Sequence, residues 1–372
     1  MKSKRARFTR LSSIASNNVR GHDDRLTALS DDILLSILRR VDIATAARTS
    51  ALSKRWRYLP WLLPKINLDA RDFLPSPLPD PIKPQLIDRA MTSLTRATRS
   101  LLGDCRSECT IKRISLKILM TSNLPCDLGL LVSDAIDREM VKELDLDIDH
   151  KEPIACRYED LFLQAQRVER FFRAYPSVLR CLTRLHLHGV DFTEWDIHHF
   201  LFDCCGQLQH LSMHECEAGE RSVWQINAPN SDLRSLEIYA SGLESIEVLC
   251  LPKLERLHWD IWFSSSPPLR FGSVPALKEL FLLNDATLHQ GAFSLREVLH
   301  GANIHTLNLH FQGEKVWIKP EGNQLCSVFS NLRKLSIYGI YVEFELLWMI
   351  NLLEAAPSVE IFDIEARKPL PV

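Results

Sequence analysis

The sequence predicts an α/β protein: a small three-helix module followed by a curved solenoid of short repeats, with a parallel sheet on the concave face. Three observations support this fold class. Apolar residues recur at helical spacing within residues 22–68, and five prolines crowd into residues 71–84. After residue 110 a short apolar pattern recurs ten times. The chain has 372 residues and leucine is its commonest residue, as expected when leucines form a repeat.

The N-terminal residues 1–21 are polar and basic and have no apolar periodicity, so we expect a disordered tail. Lys2, Lys4, Arg5 and Arg7 leave a second interpretation open, a nuclear-import patch. The net charge of −2 at pH 7 gives the chain no overall positive field to hold nucleic acid or an acidic membrane.

The ten cysteines contain no C-x-x-C pair, and no Cys/His spacing fits zinc. The sequence has no signal-peptide pattern and no apolar run of about 18 residues. We therefore expect a reduced, intracellular protein in the nucleus and/or the cytoplasm, with no membrane contact.

The first helix of the module is indicated by apolar residues that share one helical face. They are Leu29, Ile33, Leu34, Ile37 and Leu38, with Ser30 in position to cap the helix. A bundle of about 45 residues lies near the lower limit for independent stability. Its apolar surface therefore indicates a partner rather than a catalytic pocket.

Residues 69–104 are expected to form a proline-rich linker followed by an amphipathic helix. The prolines between 71 and 84 exclude a helix or a central strand there. Apolar residues spaced three and four apart then predict one helix over residues 85–102.

The repeat unit reads apolar-x-x-apolar-x-apolar, and its ten copies run from Ile111/Ile114/Leu116 to Val359/Phe362/Ile364. From residue 208 onward the copies recur about every 25 residues, within the period of leucine-rich repeats (LRRs). We place the repeats in residues 105–366 and a tail in 367–372. In each copy the last two apolar residues point to the same side of a strand, so stacked copies bury a ladder of leucines.

Two irregularities interrupt the repeats. The second and third copies are 41 residues apart, and Tyr158–Pro176 between them suits either a long helix on the convex side or a degenerate repeat. A weak extra copy, Leu243/Ile246/Val248, is expected to form a strand on the convex side.

The helical module resembles a plant F-box, in which L-P-D-D-[IL]-L-x-x-I-L is followed by T-S-x-L-S-[KR]-R-W-R. The matching segments are LSDDILLSIL, ARTSALSKRWRYL and LPKINLD, and Ser30 stands where the family has proline. Together with the repeats, residues 22–68 identify the chain as similar to plant F-box/LRR proteins of the FBD-like type.

The resemblance implies a substrate-recognition subunit of an SCF-type ubiquitin ligase, in which the F-box binds a Skp1-like adaptor and through it a cullin. The adaptor contact would then be made by Leu29, Ser30, Ile33, Leu34, Ile37, Leu38, Leu52 and Trp56. For Leu34, Leu38 and Trp56 the alternative is that they hold the three helices together.

A protein target is expected on the concave sheet, where the side chains between and just after the strand leucines face outward. The candidates are His186, His188, His214, Tyr239, His258, Asp260, Phe281, His310 and Tyr338. The alternative at each position is a merely solvated side chain.

The sequence indicates no catalytic residue, metal ligand or cofactor site. It lacks the nucleophile, zinc-protease and nucleotide-binding patterns, and the expected concave positions include one lysine, Lys117. Two alternatives to the ligase hypothesis remain: a non-ligase scaffold with a drifted F-box, and an enzyme with a fortuitous repeat fold.

Overall fold

The computed structural model describes most of the chain. The described residues are 29–41, 55–56, 59–63, 65–79, 82–103, 110–120, 126–149, 158–192, 196–217, 222–262, 267–284, 292–312, 316–319, 321–341 and 347–367. The expected basic tail, Leu52 and residues 368–372 of the expected C-terminal tail lie outside them.

One parallel sheet of eleven strands organises the described residues. Its strands are β1 (Lys65–Asp69), β2 (Ile111–Leu119), β3 (Val141–Asp149), β4 (Leu182–His188), β5 (His210–His214), β7 (Ser235–Tyr239), β9 (Arg256–Asp260), β11 (Glu279–Asn284), β12 (Thr306–Phe311), β13 (Lys334–Tyr341) and β14 (Ile361–Arg367). Each strand pairs with the strand of the preceding repeat in this order. The ten strands that follow β1 in this sheet correspond to the ten predicted copies, so the predicted solenoid is confirmed.

The sequence does not predict strand β1, because residues 65–68 fall within the segment that indicates a helical module. Ile66 lies opposite Ile114 and Leu68 opposite Leu116, and both β1 side chains are buried. Their alternation with polar neighbours gives β1 the side-chain period of a strand, and burial against β2 fixes it as the first strand of the sheet.

The core is the predicted ladder of apolar side chains. Leu280, Leu307 and Leu335 lie side by side on consecutive strands and are completely buried. Each such side chain closes the space between its own repeat and the next, so a repeat in the middle of the solenoid is covered on both sides.

The ladder ends at β14 without a further repeat to cover it among the described residues. Ile364 occupies the same position as the fully buried Ile337, yet half of its side chain is exposed. Ile361 on the same strand is also half exposed.

The described α-helices are α1 (Asp31–Leu38), α2 (Pro84–Gly103), α3 (Cys126–Asp137), α4 (Tyr158–Ala174), α5 (Pro176–Cys181), α6 (Leu295–Leu299) and α7 (Leu347–Glu354), and all except α1 lie in connections between strands of the main sheet. Helix α2 confirms the helix predicted over 85–102. Helix α4 decides the 41-residue gap in favour of a long helix, because Val168 and Phe172 on one face are buried. None of the described helices is both long enough and apolar enough to span a bilayer.

A second sheet lies on the opposite side of the solenoid and contains β6 (Ser222–Asn227), β8 (Leu243–Cys250) and β10 (Leu269–Ser273). Its central strand β8 carries the predicted convex strand, and Leu243, Ile246 and Val248 are all buried. The weak copy therefore has the leucine-ladder spacing but pairs with β6 and β10 outside the main sheet.

Candidate interaction surfaces

Helix α1 divides its apolar residues between two faces. Leu34 and Leu38 are buried together with Trp56, Leu59 and Leu63, and all five belong to one hydrophobic core. For Leu34, Leu38 and Trp56 this burial favours the alternative expected from the sequence, that they hold the module together. A partner cannot reach them without opening that core.

The other face of α1 is open to solvent. Ile33 and Ile37 are 48% and 38% exposed, and Val41 and Leu62 beside the helix are also exposed. Exposed aliphatic side chains grouped on one small module indicate a docking surface. We refer to Ile33, Ile37, Val41 and Leu62 as the aliphatic face.

The start of α1 is held by the side chain of Arg55 as well as by the backbone carbonyl of Ser30. Ser30 has extended dihedral angles and its carbonyl accepts the first helical hydrogen bond, from Leu34, but its side chain makes no capping bond. Arg55 donates from Nε to Asp31 Oδ1 at 2.7 Å and from its guanidinium to the carbonyl of Leu29 at 2.6 Å. Arg55 of the later segment thus holds Leu29 and Asp31, the two residues on either side of Ser30.

The concave face is the side of the eleven-stranded sheet that turns away from the helices. All nine predicted concave candidates lie on it and are partly exposed. Five of their rings form a continuous strip across β4, β5, β7, β9 and β11: His186, His214, Tyr239, His258 and Phe281. Successive ring centroids are 4.6, 4.0, 4.5 and 4.0 Å apart. We call these five residues the ring strip.

His214 and Tyr239 lie in register on adjacent strands, as do His258 and Phe281, and in-register side chains on adjacent parallel strands stand about 4.8 Å apart. His186 and His214 are diagonal neighbours across the strands, as are Tyr239 and His258. The ring strip therefore presents a row of ring edges to solvent over five repeats. His310 and Tyr338 continue the concave face further along, with ring centroids 6.1 Å apart. Asp260 lies beside the strip, in register with Tyr239.

His188 is held by an ionic network that a register shift creates. Strand β4 carries one extra residue, Thr183, relative to β3, so Asp147 lies opposite His186. The Thr183 hydroxyl lies 3.2 Å from the Leu144 carbonyl and 3.1 Å from Asp145 Oδ1. His188 contacts Asp149 at 2.8 Å through Nδ1 and Glu215 at 3.3 Å through Nε2.

Neighbouring charged groups shift the pKa values of His188 and Asp149 in this network. The bond to Asp149 raises the pKa of His188 above its ordinary value, against the effect of burial. Burial opposes ionisation of Asp149, but hydrogen bonds from His188 and Arg71 lower its pKa to about 2. Asp149 therefore remains a carboxylate and ties the turn that holds Arg71 to the sheet.

A further row of concave side chains lies outside the sequence prediction. It contains Arg184, His210, Ser235, Arg256 and Glu279, which face each other across consecutive strands. Each lies two residues before a predicted concave position, so the period of two within a strand was the signal that could have found them. The concave face consequently carries arginines that the predicted set of residues lacks.

Burial keeps the central histidines of the concave face uncharged. It lowers the pKa of His214 and of His258 to about 4. Burial also lowers the pKa of His210 to about 4, with Arg184 and Arg256 adding to the effect. At neutral pH the ring strip therefore has no positive charge from His214 or His258.

The free energy of unfolding is expected to fall as the pH is lowered from about 7 to about 5. Between pH about 6.5 and about 4 the unfolded chain protonates these three histidines while the folded chain does not, so protonation favours unfolding. His188, with a raised pKa, contributes in the opposite direction.

Urea denaturation at several pH values measures how steeply the free energy of unfolding changes with pH. The double variant His214→Phe/His258→Phe should show a shallower slope than the wild type, and an equal slope would contradict the assignment; His300→Phe, at an exposed position, is the control.

One thiol–imidazole contact lies away from the concave face. Cys204 Sγ lies 3.7 Å from His199 Nε2, and His199 Nδ1 lies 2.8 Å from Asp203. Burial and the charge of Asp203 raise the pKa of Cys204, the opposite of what an activated nucleophile requires. The arrangement therefore does not support catalysis. Within the described residues no group of three or more His, Cys, Asp or Glu side chains is placed to hold a metal ion.

Comparison with known families assigns both parts of the chain. The LRR-domain family of At1g61320/AtMIF1 matches residues 171–370, more than half of the chain, and the F-box domain matches residues 26–60. The chain belongs to the F-box/LRR family. The matched LRR region of this F-box/LRR protein includes the main-sheet strands from β4 to β14, and the matched F-box region includes Ile33, Ile37 and Val41 of the aliphatic face.

Relatives of this F-box/LRR protein occur in Arabidopsis thaliana. It is 28% identical over 248 residues to the F-box/FBD/LRR-repeat protein At5g56420, an alignment that covers 63% of this chain and 54% of the relative. It is 26% identical over 250 residues to the FBD-associated F-box protein At5g56370, covering 63% and 53%. Over 44 residues it is 50% identical to the putative F-box/FBD/LRR-repeat protein At5g52460, covering 12% of each. The alignments to At5g56420 and At5g56370 span about half the length of these relatives.

Proposed function

We propose that this protein is a non-catalytic substrate receptor of an SCF-type ubiquitin ligase. In this proposal the F-box binds a Skp1-like adaptor, which links the protein to a cullin, and the concave face of the repeats binds a protein target for ubiquitination. The observation that carries the proposal is an F-box with an exposed aliphatic face, joined to a repeat sheet with a separate, partly exposed concave face.

The burial pattern supports docking through α1. The exposed residues Ile33 and Ile37 are free to bury against an adaptor without any change in the core, which Leu34 and Leu38 already fill. Burial of one such side chain contributes about 2 kcal/mol, or roughly 30-fold in affinity. The adaptor contact that we propose is therefore narrower than the sequence implied and excludes Leu34, Leu38 and Trp56.

Co-expression with a Skp1-like adaptor tests the proposal. The wild-type protein is expected to retain the adaptor on an affinity column, and Ile33→Asp/Ile37→Asp to lose more than about tenfold of it because two charges would be buried. Leu130→Asp, at a 61% exposed position on α3, is the matched control and should bind as the wild type does. Failure of the wild type to bind, or equal binding by the double variant, would refute the proposal.

A non-ligase scaffold is the second candidate function. Ser30, which makes no side-chain capping bond, stands where the F-box family has proline, so the start of α1 differs from the family pattern at the adaptor face. Whether a cullin is recovered in complex with the protein and its adaptor distinguishes the two candidate functions. The ligase receptor should bring down both adaptor and cullin, and the scaffold should lack the cullin.

A further inference from the structure

The charges on the concave face are unevenly distributed. Between β4 and β11, the two rows that contain the ring strip hold two carboxylates, Glu237 and Asp260, and no lysine or arginine. The arginines Arg184 and Arg256 are confined to the row that lies two residues earlier in each strand. The ring strip is therefore flanked by two negative charges, and its neutral histidines do not balance them.

Asp260 lacks a balancing cation within the part of the chain that the structure describes. The register places it next to Tyr239 and Leu283. Its Oδ1 is shielded from solvent and makes no hydrogen bond with any described residue. Burial raises the pKa of Asp260 above its ordinary value.

Tyr239 connects the two carboxylates. Its pKa rises to about 12, mainly through burial, and the charges of Glu237 and Asp260 add to the rise. Its hydroxyl also lies 3.4 Å from His258 Nδ1. The centre of the ring strip is thus an aromatic surface with a carboxylate on each side.

We propose that the ring strip binds an extended segment of a target protein that places a lysine or arginine side chain beside Asp260, with the charge of Glu237 also favouring the cation. This inference rests on the proposed function, because it names the chemistry of the target that the concave face would recognise. A cationic side chain supplies the missing counter-charge, and its aliphatic stem covers the ring edges. The bound segment crosses the strands, so its neighbouring side chains meet successive repeats.

The proposal excludes phosphorylated or nucleic-acid ligands from this part of the face. An anion at the ring strip would meet Glu237 and Asp260 at close range, and like charges in a partly buried site repel strongly. Arg184 and Arg256 lie in the row two residues earlier in each strand, where they would repel a basic side chain. The basic residue of the bound segment therefore lies on the Asp260 side of the ring strip.

Selection from a phage-displayed library of random twelve-residue peptides tests the proposal on the full-length protein. Peptides recovered on the wild type should carry lysine or arginine at one fixed position, enriched at least about tenfold over the library. Asp260→Asn/Glu237→Gln keeps the side-chain shapes and should abolish this enrichment. Asp363→Asn, which removes a carboxylate paired with Lys334 at the far end of the same face, should retain it.

Charge reversal gives a second, independent result. Asp260→Lys should select peptides with aspartate or glutamate at the corresponding position. Recovery of no peptide, a wild-type preference for acidic or uncharged residues, or unchanged enrichment on the double variant would overturn the inference. Adaptor binding measured on the same preparations separates the proposals: loss of adaptor binding with intact peptide selection refutes the ligase function only.

Discussion

Replacing Ile337 by alanine is expected to lower the free energy of unfolding by about 2–5 kcal/mol, whereas Ile364→Ala lowers it by only about 1 kcal/mol. The two residues are of the same type and occupy the same position in consecutive repeats. Ile337 is fully buried between Leu309 and Ile364, so truncation leaves a cavity between two repeats. Ile364 is 50% exposed, so its truncation removes little buried surface and leaves no enclosed void.

Urea denaturation of both variants and the wild type, followed by circular dichroism, measures the difference. Both substitutions remove the same atoms, so the difference in destabilisation reports how much of each side chain is buried and the cavity that its truncation leaves. Equal destabilisation would mean that Ile364 is covered in solution. It would also show that the leucine ladder does not end at β14.

Gly339→Ala is expected to destabilise the protein by about 3 kcal/mol or more. Gly339 lies in β13 at the register shift between Ile337 and Ile340, and its φ of +70° is strained for any residue with a β-carbon. A β-carbon there would also overlap the carbonyl oxygen of Phe311 on the neighbouring strand. Backbone strain and steric overlap therefore act together, and the overlap cannot be relieved by rotating a side chain.

Two other glycines make this prediction specific. Gly322 has a φ of +52° but open space around it, so Gly322→Ala should cost about 1–2 kcal/mol from strain alone. A β-carbon added at Gly206 would meet no atom within 4 Å, and the φ of Gly206 is not positive, so Gly206→Ala should stay within about 0.5 kcal/mol of the wild type. Thermal denaturation should rank the three variants in this order, and a mild effect at position 339 would show that β12 and β13 separate easily.

The sequence predicts most of this fold because burial imposes a simple period. Leu307 and Leu309 must both face inward, so the residue between them must face outward, and ten repetitions of that rule define ten strands. Strand β1 was not predicted, because Ile66 and Leu68 form a single short alternation of apolar and polar residues inside a segment that resembles an F-box. Only the pairing with β2, which is a long-range contact, distinguishes it from the end of the helical module.

The candidate surfaces were less predictable than the fold. Helical spacing groups Ile33 with Leu34 on one broad apolar stripe, and only the position of Trp56 and Leu59 decides which of the two is covered. On the sheet, the extra residue Thr183 changes which β3 side chains meet His186 and His188, and such a shift leaves no mark in the repeat pattern. The members of the ring strip were predictable as concave residues, because each lies between or just after the inward-facing residues of its strand, but the diagonal contacts that join His186 to His214 and Tyr239 to His258 were not.

Repeat length and strand register are independent in this protein. Successive copies from residue 208 onward are between 21 and 28 residues apart, yet β5, β7, β9, β11 and β12 pair without any shift. The return segments differ in length and structure: the 21-residue spacing contains strand β8, and the 27-residue spacing between residues 277 and 304 contains helix α6. Insertions and deletions in the return segments can therefore accumulate over evolution without displacing a single concave side chain, while a point substitution on a strand changes one contact and leaves its neighbours in place.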